Sequence, residues 1–143
     1  SAAKVLDSEY YAPYLNHATM EPQTATALYT DDSLEVWCGT QNGEATIATA
    51  SETSGIPLDK VTVHKMHAGG GFGRRGPHQE YTKHAVQIAM SLPGTPVRVQ
   101  WSREEDMQQG RYRPVALVRQ RAGLDRDGNW LAWHARQADQ SIF

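Results

Sequence analysis

The chain has 143 residues, of which 39% are hydrophobic and 21% charged, and its formal net charge at pH 7 is -2. This length suits a single domain with its own core, and no apolar run approaches the about 20 residues that a membrane span needs. The small negative charge gives no electrostatic reason to expect nucleic acid as a partner. A single cysteine excludes an internal disulfide and a cysteine-based metal cluster.

Hydrophobic periodicity and turn residues predict the order β-β-α-β-α-β, then a short helix and a final hairpin. The predicted strands are residues 24–30, 34–38, 60–66, 97–101, 115–124 and 130–138. The predicted helices are residues 44–54, 77–92 and about 102–109. Residues 5–23 carry few periodic signals, and Pro13 favours an extended backbone in their aromatic-rich part. We predict an α+β fold: a mixed β-sheet with two main helices packed on one face, plus β-hairpins.

The stretch of residues 67–77 is the part of the chain best suited to carry chemistry. Five glycines lie between residues 69 and 76, together with Arg74 and Arg75. Glycine permits positive φ and close approach of a ligand to the backbone, and successive exposed N–H groups bind anions. The loop also lies at the start of a predicted helix, where the dipole is positive. The two arginines would add bidentate contacts to a phosphate.

Two nucleotide-binding motifs do not account for this loop. A Walker A loop ends in Gly-Lys-Ser or Gly-Lys-Thr, whereas this loop ends in Gly-Arg-Arg. The glycines at 71, 73 and 76 match the dinucleotide-binding spacing only formally, because no convincing acidic residue ends a following strand. A plain flexible turn without a ligand is the alternative interpretation.

Other polar residues predict structural roles. His64 and His67 fall on opposite faces of a strand and its following loop, so the six histidines predict no metal site. Cys38 lies within a strand without an obvious base, which favours a core thiol. Glu21, between Met and Pro, is interpreted as a carboxylate satisfied by backbone N–H groups or as the start of a strand.

Four blocks of the sequence follow one another as they do in a known family. They are His-Ala-Thr-Met-Glu-Pro at 17–22, Glu-Val-Trp at 35–37 with Thr-Gln at 40–41, Gly-Gly-Gly-Phe-Gly-Arg-Arg at 69–75, and Pro-Val-Arg-Val-Gln-Trp-Ser-Arg-Glu-Glu-Asp at 96–106. Together they resemble the molybdopterin-binding large subunit of the xanthine dehydrogenase/aldehyde oxidase family, over roughly residues 10–114. The arginine pair is similar to the branch named for the beta subunit of isoquinoline 1-oxidoreductase, which includes related aldehyde dehydrogenases.

The resemblance implies a molybdenum hydroxylase that oxidises N-heterocycles or aldehydes with oxygen from water. The implied cofactor is molybdopterin, in bacterial members the cytosine dinucleotide form, whose dithiolene rather than the protein holds the molybdenum. The implied partners are a small subunit with [2Fe–2S] clusters, the remainder of the large subunit and a small-molecule substrate. The branch favours a periplasmic over a cytoplasmic location.

The resemblance also assigns site residues. The residues that match the family's cofactor site are Gln41, Gly70, Gly71, Phe72, Gly73 and Arg74. Gln41 resembles a glutamine that hydrogen-bonds an oxo ligand on molybdenum, and the glycine loop resembles one whose N–H groups hold the cofactor near the metal and its phosphate. Arg74 matches the branch pattern and is expected at the phosphate or dinucleotide. Residues 76–81 depart from that pattern, so the start of the following helix is expected to shift.

The family's catalytic base implies that this chain alone is inactive. That base is a glutamate near the far C-terminus of a subunit several times longer, so neither Glu21 nor Glu105 is assigned the role. The sequence also begins without an initiator Met and stops just after a predicted strand. We therefore expect a single molybdopterin-binding domain over residues 1–143, excised from a longer large subunit.

Two other functions are compatible with the residues. One is a non-catalytic module whose glycine–arginine loop captures a phosphate or nucleotide. The other is a structural domain that mediates subunit contact. Anion binding at the loop separates the first from the second, and molybdenum in the full-length protein separates the enzyme from both.

Overall fold

The computed structural model describes residues 2–141, so predicted boundaries at residues 1, 142 and 143 lie outside the described residues. In chain order its strands and helices are β1 (Lys4–Ala12), β2 (Leu15–Asn16), β3 (Thr24–Tyr29), β4 (Leu34–Cys38), α1 (Gly43–Ser54), β5 (Val61–Lys65), α2 (Glu80–Met90), β6 (Val97–Gln100), α3 (Arg103–Gln109), β7 (Tyr112–Arg113), β8 (Ala116–Leu124) and β9 (Trp130–Asp139). A 3-10 turn, Leu58–Lys60, precedes β5. None of the helices in residues 2–141 has the length and apolar character needed to cross a bilayer.

The described residues form two compact units. We call His17–Arg111 the central unit, and the described parts of Ser1–Asn16 and Tyr112–Phe143 the terminal unit. The extent of a single domain over residues 1–143 stays a prediction.

The central unit is built on a four-stranded mixed sheet in the order β5-β4-β3-β6. β4 pairs parallel with β5, and the other neighbours are antiparallel. Alternation along β4 places Leu34, Val36 and Cys38 on one face, where all three are buried. This face of the sheet forms the core of the unit.

Both main helices pack on that face. Ala50 of α1 and Tyr81, Ala85 and Ala89 of α2 are fully buried in one cluster with the strand side chains. These α2 residues recur at four-residue spacing, which gives the helix one apolar stripe. The predicted α+β fold, with a mixed sheet and two helices on one face, is confirmed.

Local capping sets the ends of α1 and α3. α1 follows Asn42, whose side-chain oxygen accepts the N–H of Ala45 at 3.0 Å, and it ends at Gly55 with φ of 76°. α3 begins with the predicted capping box: Ser102 Oγ accepts the N–H of Glu105 at 3.1 Å. In return, the Glu105 carboxylate accepts the N–H of Ser102 at 2.9 Å.

The predicted start of the second helix at residue 77 is wrong by three residues. α2 begins at Glu80. Before it, the side chain of Gln79 donates to the carbonyls of Arg75 at 3.2 Å and Gly76 at 2.7 Å. This buried amide holds the end of the glycine loop, which agrees with the shift expected for residues 76–81.

The terminal unit contains a three-stranded antiparallel sheet in the order β1-β8-β9, and β2 pairs with β7. The hairpin of β8 and β9 was predicted, whereas β1 was not. On one face of this sheet Asp7 pairs with Arg119 at 2.8 Å and Arg121 at 3.1 Å. The opposite face carries Leu6, Tyr10, Val118, Ala122 and Trp133. Every residue of β1 and of β9 is exposed.

Candidate functional site

The glycine loop of the central unit joins β5 to α2. Its backbone takes the left-handed region at Gly70 (φ 100°), Phe72 (φ 56°) and Gly73 (φ 103°). Glycine adopts such angles without cost, whereas a bulky residue is strained there. The strained residue is also prominent at the surface, because Phe72 is 71% exposed.

Three consecutive N–H groups of this loop lack a partner. They belong to Gly70, Gly71 and Phe72, and no described residue accepts a hydrogen bond from them. The neighbouring N–H groups are used within the protein: that of Gly69 by Glu21 Oε2 at 2.8 Å, and that of Gly73 by Gln41 Oε1 at 3.1 Å. A row of free N–H groups next to positive-φ residues forms an anion-binding concavity.

Gln41 follows β4 and lies against the loop. Its Oε1 accepts the N–H groups of Gly73 at 3.1 Å and Arg75 at 3.2 Å. Two donors on one atom identify that atom as the oxygen, so Nε2 is the free end of the amide. The residue is exposed, and Nε2 has no partner in the part of the chain described. A Cβ on Gly71 would lie 2.5 Å from Oε1, so the amide packs directly on this glycine.

Arg74 is buried beneath the start of α2. It is 2% exposed, donates Nη1 to Glu80 at 3.1 Å and places its guanidinium carbon 5.8 Å from the centre of the Trp101 ring. Its Nε and Nη2 have no hydrogen-bond partner in the described part of the chain, and the aromatic face beside them offers a cation–π contact. The predicted role of Arg74 at a phosphate stays a prediction, and its contacts here are those of a buried ion pair.

The carboxylate of Glu80 joins two arginines, because it also accepts from Arg111 Nε at 3.1 Å. Burial alone would raise the pKa of Glu80. Its backbone hydrogen bond and the charges and hydrogen bonds of Arg74 and Arg111 outweigh burial and lower the pKa from its ordinary 4.5. Glu80 is therefore ionised at neutral pH.

Arg75 is fully buried, so the expectation that it contacts a phosphate is wrong. Its Nη2 donates to Glu21 Oε2 at 3.1 Å and to the Glu21 carbonyl at 2.8 Å. Glu21 Oε2 accepts the N–H of Gly69 as well, which confirms that this carboxylate is satisfied by backbone. The sequence offered one signal for this pair: an acidic residue between Met and Pro in a segment that also carries the family resemblance.

The remaining polar candidates have structural partners. His64 stacks on Trp37 with ring centroids 4.8 Å apart, and its Nε2 is 2.8 Å from the Glu35 carboxylate. Burial raises the pKa of the Cys38 thiol. Among residues 2–141, no group of three or more His, Cys, Asp or Glu side chains is placed to hold a metal ion.

Known proteins share this sequence and fold. The family described as the molybdopterin cofactor-binding domain matches residues 1–141. The beta subunit of the isoquinoline 1-oxidoreductase of Brevundimonas diminuta is 36% identical over 126 residues, which are 87% of this chain and 16% of that protein. A membrane-bound aldehyde dehydrogenase of Gluconacetobacter polyoxogenes, whose name includes pyrroloquinoline-quinone, is 32% identical over 125 residues, with the same two shares.

The fold is found in a solved structure as well. The aldehyde oxidoreductase of Desulfovibrio gigas matches with a TM-score of 0.74 and 20% identity, over 96% of this chain and 15% of that one. The chain thus spans about a sixth of the length of the proteins it resembles. With the family match covering residues 1–141, this chain belongs to the molybdopterin cofactor-binding domain family, as its resemblance to xanthine dehydrogenases and aldehyde oxidases predicted.

Proposed function

We propose that this chain is the part of a molybdenum hydroxylase that holds molybdopterin at its glycine loop. The observation that carries the proposal is the row of N–H groups at Gly70, Gly71 and Phe72, beside Gln41 Nε2, none of which has a partner among residues 2–141. These donors fit a cofactor rich in phosphate and other acceptor atoms. A Cβ at Gly71 would collide with the Gln41 amide, so a glycine there keeps this amide beside the loop.

In this proposal the protein binds and orients, and the cofactor carries the redox chemistry. When bound, the molybdenum cofactor supplies the oxidation of a substrate carbon with oxygen from water. The loop N–H groups hold acceptor atoms of the cofactor, and Gln41 Nε2 donates to another. The catalytic base is a glutamate elsewhere in the full-length protein, so this chain alone is inactive.

The names of the relatives support a substrate class. One of them is named for an N-heterocycle, as part of an isoquinoline 1-oxidoreductase, and one is named for an aldehyde. We propose oxidation of an N-heterocycle or an aldehyde. Since the isoquinoline 1-oxidoreductase relative is named as a subunit, we also propose a partner subunit. From the family resemblance we propose that this partner is small and carries [2Fe–2S] clusters, and that the cofactor has the cytosine dinucleotide form.

Elemental analysis and mass spectrometry of the released cofactor test this function. The full-length protein is purified with its partner subunits from a host that makes molybdopterin cytosine dinucleotide. We expect about one molybdenum per chain and the cytosine dinucleotide form. A relative's name includes pyrroloquinoline-quinone, so that compound is sought in the same extract. Finding pyrroloquinoline quinone without molybdenum would overturn the proposal. Finding neither of the two would also overturn it, and would leave a phosphate-binding or structural domain as the alternative.

A further inference from the structure

Arg75 uses its whole guanidinium to bind the backbone around the glycine loop. Its Nε donates to the carbonyl of Gly70 at 2.9 Å, and Nη1 to that of Gly39 at 3.3 Å. Its Nη2 reaches both the carbonyl and the carboxylate of Glu21, and its Cζ lies 5.8 Å from the Tyr81 ring centre. A buried cation is costly unless paired and hydrogen-bonded. These contacts compensate Arg75 and join the glycine loop, the end of β4 and the segment around Glu21.

The bond to Gly70 fixes the direction of one free N–H group. All described peptide bonds are trans, and in a planar trans peptide the C=O and N–H point in opposite directions. The Gly70 carbonyl and the Gly71 N–H belong to the same peptide. Because Arg75 Nε holds that carbonyl on the buried side, the Gly71 N–H points to the other side, where no described residue accepts it.

The two flanking peptides obey the same rule. The carbonyl of Gly69 accepts the N–H of Glu21 at 3.1 Å, which directs the Gly70 N–H away from the Glu21 backbone. The carbonyl of Gly71 accepts the N–H of Arg74 at 2.9 Å, which directs the Phe72 N–H away from the Arg74 backbone. Of these three carbonyls, only that of Gly70 accepts a hydrogen bond from a side chain. A side-chain substitution can therefore remove this hydrogen bond.

Glu21 supports this arrangement from the opposite side. Its Oε2 accepts both the N–H of Gly69 and Arg75 Nη2. Its own segment is anchored in turn, because Arg103 Nη2 donates to the carbonyl of Thr19. Arg103 thereby links the segment that holds Arg75 to α3.

We infer that Arg75 is a positioning residue for the cofactor: with Glu21 as its counter-ion, it turns the central Gly70–Gly71 peptide so that its N–H faces the ligand. The inference rests on the proposed function. It differs from a merely structural role because it predicts an effect on cofactor retention that is separable from the stability of the fold.

Arg75→Lys separates the two roles. Lysine carries a methylene where arginine carries Nε, so the bond to the Gly70 carbonyl is lost. Its amine keeps the positive charge and still reaches the acceptors of Glu21. A single amine also cannot reach the Gly39 carbonyl and Glu21 as the guanidinium does, so we expect a lower melting temperature. In the full-length holoprotein, dialysed at a temperature at which both proteins stay folded, we expect molybdenum loss that is about tenfold faster, as for one lost charge-assisted hydrogen bond. The peptide of residues 69–76 should also lose its cofactor-dependent protection from deuterium exchange.

Arg98→Lys is the matched control, because Arg98 is exposed on β6 and donates to Gln100 at 3.2 Å, away from the loop. It should behave as the wild type. If Arg75→Lys keeps wild-type molybdenum retention and loop protection, the positioning role is overturned and the proposed function stands. If the wild type itself holds no molybdenum, the proposed function fails.

Glu21→Gln decides the question if Arg75→Lys does not fold. Glutamine keeps an acceptor for the Gly69 N–H but removes the negative charge beside Arg75. We expect faster molybdenum loss here too. Wild-type retention in folded Glu21→Gln protein would overturn the inference.

Discussion

At Gly71 the side chain of Gln41 occupies the space that any larger residue would need. A Cβ there would lie 2.5 Å from both Cδ and Oε1 of Gln41. The side chain of Gln41 would move, because an amide on a flexible stem yields more easily than backbone. Moving it removes the acceptor shared by the N–H groups of Gly73 and Arg75.

We therefore expect Gly71→Ala to destabilise the protein by about 1–3 kcal/mol, the cost of leaving such groups unsatisfied. Urea unfolding measures this change. Gly43→Ala is the control, because a Cβ at Gly43 meets nothing within 4 Å. Alanine there should leave stability unchanged or raise it by about 0.5 kcal/mol. Equal losses for the two variants would contradict the packing of Gln41 on Gly71.

Individual residues also show how much of the candidate site could be predicted from the sequence. The glycine loop was predicted because its chemistry is local, whereas Gln41 was assigned through the family resemblance; the role of both at a cofactor stays a prediction. The burial of Arg75 was not found, because its partners Gly39 and Glu21 lie 36 and 54 residues away. A charged residue next to glycines predicts an exposed cation until its long-range acceptors are known.

At the scale of elements, α3 is the helix that depends most on its cap. It has seven residues, too few for stability from propensity alone. The capping box at Ser102 and Glu105 supplies two hydrogen bonds at its start. The helix carries Arg103, which pairs with buried Asp106 at 2.6 Å and reaches the carbonyls of Thr19 and Met20.

Ser102→Ala should lower the free energy of unfolding by about 1 kcal/mol, the usual loss for an N-cap. Thermal or urea unfolding of the purified variant checks this value. Ser91→Ala is the control, because Ser91 is an exposed C-cap residue whose side chain makes no hydrogen bond within residues 2–141. A loss as large at Ser91 as at Ser102 would show that the capping box contributes nothing specific.

Strands and helices with turn or cap residues in their own sequence were predicted well. A strand that is recognisable only by its pairing with another strand was not. The hairpins and α1 have turn and cap residues within their own sequence. β1 has none, and it is recognisable only through its pairing with β8, where Asp7 meets Arg119 at a separation of 112 residues. The start of α2 was misplaced for a related reason, because Gln79 uses its side chain to hold the preceding loop rather than to begin the helix.

At the scale of the whole molecule, the link from Arg74 through Glu80 to Arg111 makes stability depend on pH. The folded pKa of Glu80 lies below its ordinary 4.5, so near and below that pH the unfolded chain binds more protons than the folded one. The stabilisation by Glu80 is therefore complete above pH 4.5 and is lost as the pH falls through the lower folded pKa.

We expect Glu80→Gln to flatten this part of the profile. Unfolding free energies measured from neutral pH to below pH 4 should fall less steeply in the variant than in the wild type. Glu104→Gln is the control, since Glu104 is exposed and has no described hydrogen-bond partner. It should keep the wild-type slope. Identical slopes for wild type and Glu80→Gln would show that the arginines do not hold this carboxylate ionised.

The sheet of the terminal unit affects how the protein behaves in solution. β1 and β9 are the outer strands of this sheet, and one of its faces exposes large apolar side chains among polar ones, with Trp133 63% exposed. Open edges pair with other strands, and exposed apolar faces adhere to one another. We therefore expect solutions of the isolated chain to associate more as its concentration rises.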